Sequence, residues 1–339
     1  QQLISDVPLG AFLSGGVDSS LIVALMQKIT NGNTKTFSIG FEDEKFNEAG
    51  YASAVASYLK TNHTSMTVTS KEAMSVIPKL PKLYSEPFSD SSQIPTYELI
   101  LLAKSNVTVA LSGDGGDEIF GGYTRYEFTK KFWSKMKYAP YPIRKSVSLL
   151  IKVLLRSSDY TNIKLPDIYK IKHFQDKLFK AAEAIASKNF NDLYSSIVSH
   201  HSNPAIYVNG GVDIKIFDKL NGLEHIESEV DKMMHLDFNT YLPDDIMVKV
   251  DRASMGVSLE TRAPFLSHKV IEYAANLSNE WKFGNKKTGF SSKHILREIL
   301  YRHVPRNLIE RPKMGFGVPI EQWLKKDLNS WASDLMTLD

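Results

Sequence analysis

The chain has 339 residues, 42% hydrophobic and 23% charged, a composition typical of a folded globular protein. Its formal net charge of +3 is too small for a protein that coats nucleic acid. The absence of cysteine excludes disulfides, cysteine-bound zinc and a thiol nucleophile within this sequence. We find no apolar stretch that could span a bilayer and no signal-peptide pattern at the start, so we expect a cytoplasmic protein without a membrane partner.

Strand-like and helix-like segments alternate over the first third of the chain. The patterns predict strands at 10–13, 36–41, 63–68 and 107–111, and helices at 17–28, 46–59, 70–84 and 94–104. This alternation predicts an α/β fold with a parallel sheet, because parallel strands are joined by crossover helices. Helical patterns dominate further along, so we expect a mainly helical C-terminal half.

Changes in composition divide the chain into three predicted regions. These are an α/β core at 1–126, a basic helical insertion at 127–235 and a helical part at 236–339 that completes the site. The stretch 127–180 is rich in lysine, arginine and aromatic residues, which would suit either a nucleic-acid surface or a solvated helical face. We favour the solvated face and expect no nucleic-acid partner.

The sequence LSGGVDSS at 13–20 lies between a predicted strand and a predicted helix. Its two glycines permit close backbone approach, and the helix that follows presents unpaired N–H groups to an anion. Ser14 and Ser19 add hydroxyl donors for phosphate oxygens. The loop lacks the GxxxxGK pattern of the Walker A motif, and Asp18 beside a phosphate requires a Mg2+ ion between them. A plain Gly-Gly turn with an aspartate cap is the alternative.

A second loop, LSGDGGDE at 111–118, follows the most strand-like segment of the chain. Both loops follow strands of the same predicted sheet, so they should line one crevice. Its three carboxylates repel one another and any phosphate unless cations are bound. Asp117 is therefore the candidate partner of Asp18 on Mg2+. An acidic surface turn is the alternative.

These loops resemble a known family together with three further segments. They are TFSIGF at 36–41, DDIMVKVDRASMGVSLETRAPFL at 244–266 and RPKMGFGVPIEQWL at 311–324. The pattern resembles the synthetase domain of glutamine-hydrolysing asparagine synthetases, a branch of the ATP pyrophosphatases. The resemblance covers about residues 3–328 and is weak between 127 and 229. It implies a parallel sheet of the adenine-nucleotide hydrolase type.

The resemblance also implies roles for single residues. Those implied to bind ATP and its pyrophosphate are Leu13, Ser14, Gly15, Gly16, Asp18, Ser19, Ile39, Ser112 and Gly113. Asp18 and Asp117 would hold Mg2+. Lys313 and Asp114 would be catalytic, Lys313 by stabilising the negative charge that grows on the α-phosphoryl group.

Further residues are candidates for the substrate end of the site. Asp90 lies in EPFSDSS, where the alternative role is a helix cap. Arg252 and Glu260 lie with Arg262 in a predicted helix, where structural ion pairing is the alternative for the two arginines.

The resemblance implies a carbon–nitrogen ligase that uses ATP. Aspartate and Mg-ATP would give a β-aspartyl adenylate and pyrophosphate, and ammonia would then give asparagine and AMP. Family members take ammonia from glutamine through an N-terminal glutaminase domain with a catalytic cysteine. This sequence lacks both and begins abruptly, so we expect an isolated synthetase domain whose partner in the full-length protein is that glutaminase domain. We consider a homodimer as its oligomeric form.

Three positions depart from the family pattern. Asp114 and Ser267 stand where glutamate and aspartate are usual, and Thr64 stands where a second histidine after His63 is frequent. Another acceptor therefore stays open, such as a sugar acid, a cell-envelope acid or a lactam closure. A non-catalytic nucleotide-binding module is the alternative from a different class.

Overall fold

The computed structural model describes residues 1–43, 47–156, 174–199, 208–210, 217, 220, 222–285, 292–311, 317–326 and 328–337. The chain divides into two compact units. The first combines Gln1–Gly122 with Phe238–Asp339, and the second is Tyr123–Asp237.

A five-stranded parallel sheet forms the centre of the first unit. Its strands are β1 (Leu9–Phe12), β2 (Lys35–Phe41), β3 (Asn62–Val68), β4 (Val109–Leu111) and β5 (Glu260–Arg262). Their order in the sheet is β3-β2-β1-β4-β5, and every neighbouring pair is parallel. The chain adds strands on one side of β1 and then returns to its other side with β4. This reversal opens a crevice beyond the carboxyl ends of β1 and β4.

Helices account for most of the remaining described chain. In chain order they are α1 (Val17–Ile29), α2 (Ala49–Leu59), α3 (Ser70–Val76), α4 (Leu80–Tyr84), α5 (Gln93–Lys104), α6 (Gly116–Phe120), α7 (Thr124–Met136), α8 (Tyr141–Arg156), α9 (Phe174–Ile185), α10 (Phe190–Val198), α11 (Glu229–Asn239), α12 (Val248–Met255), α13 (His268–Ala275), α14 (Asn279–Phe283), α15 (His294–Leu300), α16 (Arg306–Ile309), α17 (Ile320–Lys325) and α18 (Asn329–Met336). Short 3₁₀ segments lie at Ile77–Lys79, Leu223–His225 and Pro264–Leu266, and a π-helical turn lies at Leu242–Met247. The α/β class and the mainly helical C-terminal half are confirmed. Among the described helices, none combines the length and apolarity that a bilayer crossing needs.

The first unit has two hydrophobic clusters, and neighbouring residues of a sheet strand belong to different clusters. Leu111 of β4 packs in one cluster with helices α1, α2 and α15, and its neighbour Ala110 packs in the other with α5 and α12. Successive side chains of a strand point to opposite faces, so the two clusters cover both faces of the sheet. The central strands β1, β2 and β4 are therefore buried between helices, whereas the edge strands β3 and β5 are polar and partly exposed.

The predicted helix around Arg252, Glu260 and Arg262 is wrong beyond Met255. Helix α12 ends there, Ser258 takes a left-handed φ of +57°, and β5 then pairs with β4. The strand has only three residues, too few for the period of two to stand out in the sequence. Its place at the sheet edge comes from pairing with β4, which no local pattern encodes.

The single helix predicted at 70–84 is also wrong. The segment forms α3, a 3₁₀ turn and α4, and the last two pieces each carry a proline in their first turn. Proline has no N–H for the preceding turn, so it breaks a continuous helix here.

A buried carboxylate organises the second unit. Asp237 is 1% exposed and accepts hydrogen bonds from Arg125 Nη2 at 2.7 Å and from the hydroxyls of Tyr126 and Tyr194 at 2.6 Å each. Arg125 also stacks on Tyr123, with its guanidinium 3.8 Å from the ring centre. The buried charge is thus paired and hydrogen-bonded, which makes this cluster a structural tie between α7, α10 and α11.

Candidate active site

The first loop, residues 13–18, folds back on the start of helix α1. The hydroxyls of Ser14 and Ser19 lie 3.0 Å apart, and the N–H of Gly16 donates to Ser14 Oγ at 3.3 Å. Gly15 has a φ of +75°, and a Cβ there would lie 2.8 Å from the backbone of Tyr51. No described side chain caps α1, so its first N–H groups can face an anion.

The second loop, residues 112–117, packs directly on the first. A Cβ on Gly113 would lie 3.0 Å from Cβ of Asp18, and one on Gly116 would lie 2.5 Å from Oδ1 of Asp18. The N–H of Ser112 donates to the carbonyl of Arg262 at 2.8 Å, which fixes the loop to the end of β5. The glycines of this loop therefore provide room for the Asp18 side chain.

Asp18 and Asp117 meet at one cation, the ammonium of Lys293. Lys293 Nζ lies 2.8 Å from Asp117 Oδ1 and also contacts Asp18 Oδ2. Although burial acts to lower the pKa of Lys293, the Asp117 and Asp18 carboxylates raise it above its ordinary value. The lysine is therefore charged. Sequence reasoning missed Lys293, because nothing in SSKHILREIL marks one lysine as a crevice residue.

Asp114 lies in the second loop with an altered acidity. Burial raises the pKa of its carboxyl, and so do the charges of Asp18 and Asp117, while a hydrogen bond with Ser112 and the charge of Lys249 lower it. The balance leaves the pKa above its ordinary value. Asp114 therefore holds a proton more readily than an exposed aspartate would.

A second charged cluster surrounds Lys249 of α12. Its ammonium lies 2.6 Å from Asp90 Oδ2, 2.8 Å from Ser92 Oγ and 3.8 Å from Asp245 Oδ1. Asp90 also accepts hydrogen bonds from the N–H and hydroxyl of Ser92, just before α5. Asp90 thus bonds to Ser92, the residue just before α5, and also pairs with Lys249, while its role at the substrate end of the site stays a prediction. Lys249 was not predicted, although DDIMVKVDR contains it.

Other predicted residues lie in different surroundings. Leu13 and Ile39 are buried in the two cores, and the N–H of Leu13 donates to the carbonyl of Phe37. Arg252 is exposed, and Glu260 pairs with Arg262 at 2.6 Å. Structural ion pairing is thus what the structure gives Arg262, which also donates to the first residues of the chain.

The two carboxylates fit a magnesium site by their number and position. Both reach one cation, the Lys293 ammonium, from separate loops. Among the described residues, no group of three or more His, Asp or Glu could hold a metal by itself, so any ion here would need further ligands from water or substrate. Mg2+ typically binds one or two carboxylates and completes its shell with water and substrate phosphates. Asp18 and Asp117 would hold the ion in that way.

Comparison with protein families decides the relationship. The asparagine synthase family model matches residues 1–339, the entire chain. The chain belongs to the asparagine synthase family. Within this family the matched segment contains both glycine-rich loops and the Lys249 cluster, so the geometry above is that of a family member.

Individual relatives in the asparagine synthase family are moderately similar. The glutamine-hydrolysing asparagine synthetase 1 of Bacillus subtilis is 33% identical over 340 residues, covering 98% of this chain and 50% of the relative. A putative glutamine-hydrolysing asparagine synthetase of Mycobacterium tuberculosis is 31% identical over 329 residues, covering 97% and 48%. Amidase chry2 of Gibberella zeae is 23% identical over 362 residues, covering 99% and 53%. The chain thus spans about half the length of these relatives.

Lys313, the catalytic lysine that the family resemblance implies, lies outside the described residues. Arg311, two positions earlier, is described. Its guanidinium donates to Glu48 Oε1 at 2.8 Å and to the carbonyl of Ser14 at 3.3 Å, and it lies 4.2 Å from the centre of the Tyr51 ring. The arginine that precedes Lys313 in sequence is therefore a support of the first loop.

Proposed function

We propose that this chain is the synthetase part of an ATP-dependent ligase that converts aspartate and ammonia to asparagine. One observation carries the proposal. Asp18 and Asp117 follow β1 and β4, on either side of the reversal in strand order, and both reach the same cation. Parallel α/β sheets bind ligands at such a reversal, and two carboxylates with a glycine-rich loop suit a magnesium-bound triphosphate.

ATP would lie across the two loops. The hydroxyls of Ser14 and Ser19, which lie 3.0 Å apart, and the first N–H groups of α1 are donors suited to the pyrophosphate. The adenosine would contact the backbone near Leu13, Ile39, Ser112 and Gly113. The side chains of Leu13, Ile39 and Ser112 are buried, and the N–H groups of Leu13 and Ser112 bond to neighbouring strands. The backbone of these segments is therefore held in place for a ligand.

Two carboxylates suffice for the proposed metal. When bound, Mg2+ would neutralise phosphate charge and orient the triphosphate for in-line displacement. Asp18 and Asp117 would hold it, and their positions on two loops would join the two sides of the crevice.

The proposed reaction has two steps. An oxygen of the aspartate side-chain carboxylate attacks the α-phosphorus, and the bond to pyrophosphate breaks. Ammonia then attacks the carboxyl carbon, and AMP leaves with the oxygen that the carboxylate supplied. We assign Lys313 to stabilising charge in the first step and Asp114, with its raised pKa, to receiving a proton from the attacking ammonia.

Ammonia is the proposed nitrogen source for this chain. The relatives are named as glutamine-hydrolysing, and the chain spans about half of their length. The sequence has no cysteine to act as the nucleophile of a glutaminase. We therefore propose that glutamine hydrolysis belongs to another part of the full-length protein.

A second candidate differs only in the acceptor acid. Relatives named as amidases cover 99% of this chain, which favours testing acids beyond aspartate. The test measures Mg-ATP-dependent pyrophosphate release with aspartate, sugar acids and amino acids that could close a lactam. The proposal predicts that aspartate gives the highest rate. A higher rate with another acid would leave the ligase chemistry but replace the substrate, and nucleotide binding without pyrophosphate release would favour a binding module.

A further inference from the structure

A buried lysine lies where the proposed function expects a metal ion. Lys293 is 5% exposed, and its ammonium contacts both Asp18 and Asp117. A buried ammonium needs partners, because it is otherwise strongly hydrated. The two carboxylates repel each other, and the ammonium between them offsets that repulsion.

The position of Lys293 is set by packing and has an unusual backbone. Its φ of +57° and ψ of +38° place it in the left-handed region just before α15, a conformation uncommon for residues other than glycine. Helix α15 is anchored through Leu296 and Leu300, which belong to the same core cluster as α1. The left-handed φ is shared by four other non-glycine residues described in this chain, so the buried ion pair, and not the backbone conformation, distinguishes Lys293.

The chain closes over one side of the ion pair at Gly122. A Cβ on Gly122 would collide with both Asp117 Oδ1 and Lys293 Cε, so the chain closes directly over the pair. A divalent ion placed within a few ångströms of the ammonium would also be repelled by it. Lys293 and a divalent cation therefore compete for the position between Asp18 and Asp117.

We propose that Lys293 is an internal counter-ion that exchanges with a divalent cation on Asp18 and Asp117. The lysine holds the two loops together in one state, and its side chain leaves the carboxylates when the metal ion binds. This inference rests on one part of the proposed function, namely that Asp18 and Asp117 bind the divalent cation. It adds that the chain supplies its own competitor for the metal.

The first test titrates the full chain with Mn2+, without nucleotide, and measures free Mn2+ by electron paramagnetic resonance. Lys293→Met removes the competing charge, so it should bind Mn2+ at least about tenfold more tightly than the unaltered chain. The variant should also melt at a lower temperature, and Mn2+ should restore much of that loss. Equal Mn2+ affinity in the two proteins would overturn the exchange.

The matched control is Lys249→Met. Lys249 is also buried, at 8% exposed, and pairs with Asp90 at 2.6 Å, outside the two loops. This variant should melt at a lower temperature without tighter Mn2+ binding. If it gained as much Mn2+ affinity as Lys293→Met, the effect would reflect a general loss of positive charge and the proposal would fail.

A second measurement uses the unaltered chain and does not depend on a variant that folds. Acetic anhydride modifies free amines, and mass spectrometry reports the extent at each lysine. At a Mn2+ concentration that saturates the titration, modification of Lys293 should rise severalfold while that of Lys249 stays constant. An unchanged Lys293 would contradict displacement.

The two proposals fail in different ways. If the unaltered chain releases no pyrophosphate with aspartate, but Lys293→Met binds Mn2+ more tightly, the proposed function is rejected and the exchange is retained. Normal pyrophosphate release, with no gain of Mn2+ affinity, would retain the function and reject the exchange.

Discussion

Gly116 and Asp18 are so close that a methyl group on Gly116 would lie 2.5 Å from the Asp18 carboxylate. The two residues follow different strands, so their contact joins the two loops of the crevice. The Asp18 carboxylate is also held by Lys293, which limits how far it can move to relieve a collision. The two loops can thus pack this closely only because residue 116 is glycine.

Gly116→Ala should therefore lower Mg-ATP-dependent pyrophosphate release by at least about tenfold and destabilise the fold by about 1–2 kcal/mol through overpacking. The control is Gly50→Ala on α2, where a Cβ would meet no atom within 4 Å. That change should leave turnover unchanged and raise stability by up to about 1 kcal/mol, since alanine favours the helix. Equal behaviour of the two variants would show that the loop contact is unimportant.

Asp18→Asn and Asp117→Asn test the proposed metal carboxylates. Each should lower pyrophosphate release by about 100-fold or more and raise the Mg2+ concentration needed for half-maximal rate, because a neutral amide binds Mg2+ weakly. Asp6→Asn, at an exposed position, is the control. A variant at position 18 or 117 with full turnover would remove that residue from the metal site.

His63 predicts a specific pH dependence of stability. Its ring contacts Thr36 Oγ1 at 2.9 Å and Ser38 Oγ at 3.1 Å, and burial lowers its pKa although a hydrogen bond with the Thr36 backbone acts to raise it. The unfolded chain therefore takes up a proton at a higher pH than the native chain. Stability from His63 is complete above about pH 6.5 and declines as the pH falls through the unfolded and then the native pKa.

The measurement compares urea unfolding of the unaltered chain and of His63→Gln from pH 8 to pH 5. The advantage of the unaltered chain in free energy of unfolding should shrink below about pH 6.5. An advantage that grows at acid pH would mean that the native state favours protonated His63 and would reverse the assignment.

Asp245 should show the opposite pH dependence. Burial and the nearby charge of Asp90 raise its pKa to about 6, although Lys249 acts to lower it. The native state binds this proton more tightly than the unfolded chain, so stability is lost as the pH rises through 6. Asp245→Asn should gain about 1–2 kcal/mol over the unaltered chain at pH 7.5 and little at pH 4. Asp244→Asn, at the exposed neighbour, is the control and should not reproduce the gain in stability at pH 7.5.

The sequence was sufficient to predict four of the five strands and both loops, because their signals are local. The strands at 36–41 and 63–68 differ from the observed β2 and β3 by one residue, and the glycines and carboxylates of each loop directly follow a strand. Strand order then brings the loops together, since β1 and β4 are neighbours in a parallel sheet.

Features that depend on distant contacts were not predictable in this way. Lys293 and Lys249 are two of 41 basic residues, and only tertiary packing distinguishes them by burying their ammonium groups beside carboxylates. Strand β5 is three residues long and exists through its pairing with β4. In each case the deciding partner, a carboxylate or strand β4, is distant in sequence. A periodic pattern within one segment gives no information about such a partner.

An oxygen-transfer experiment tests the central proposal most directly. The chain is incubated with Mg-ATP, ammonia and aspartate labelled with ¹⁸O in its side-chain carboxylate, and the AMP is analysed by mass spectrometry. Attack of that carboxylate on the α-phosphorus predicts one ¹⁸O atom in each AMP formed, together with asparagine and pyrophosphate. AMP without ¹⁸O, or label recovered in inorganic phosphate beside ADP, would contradict an aspartyl adenylate.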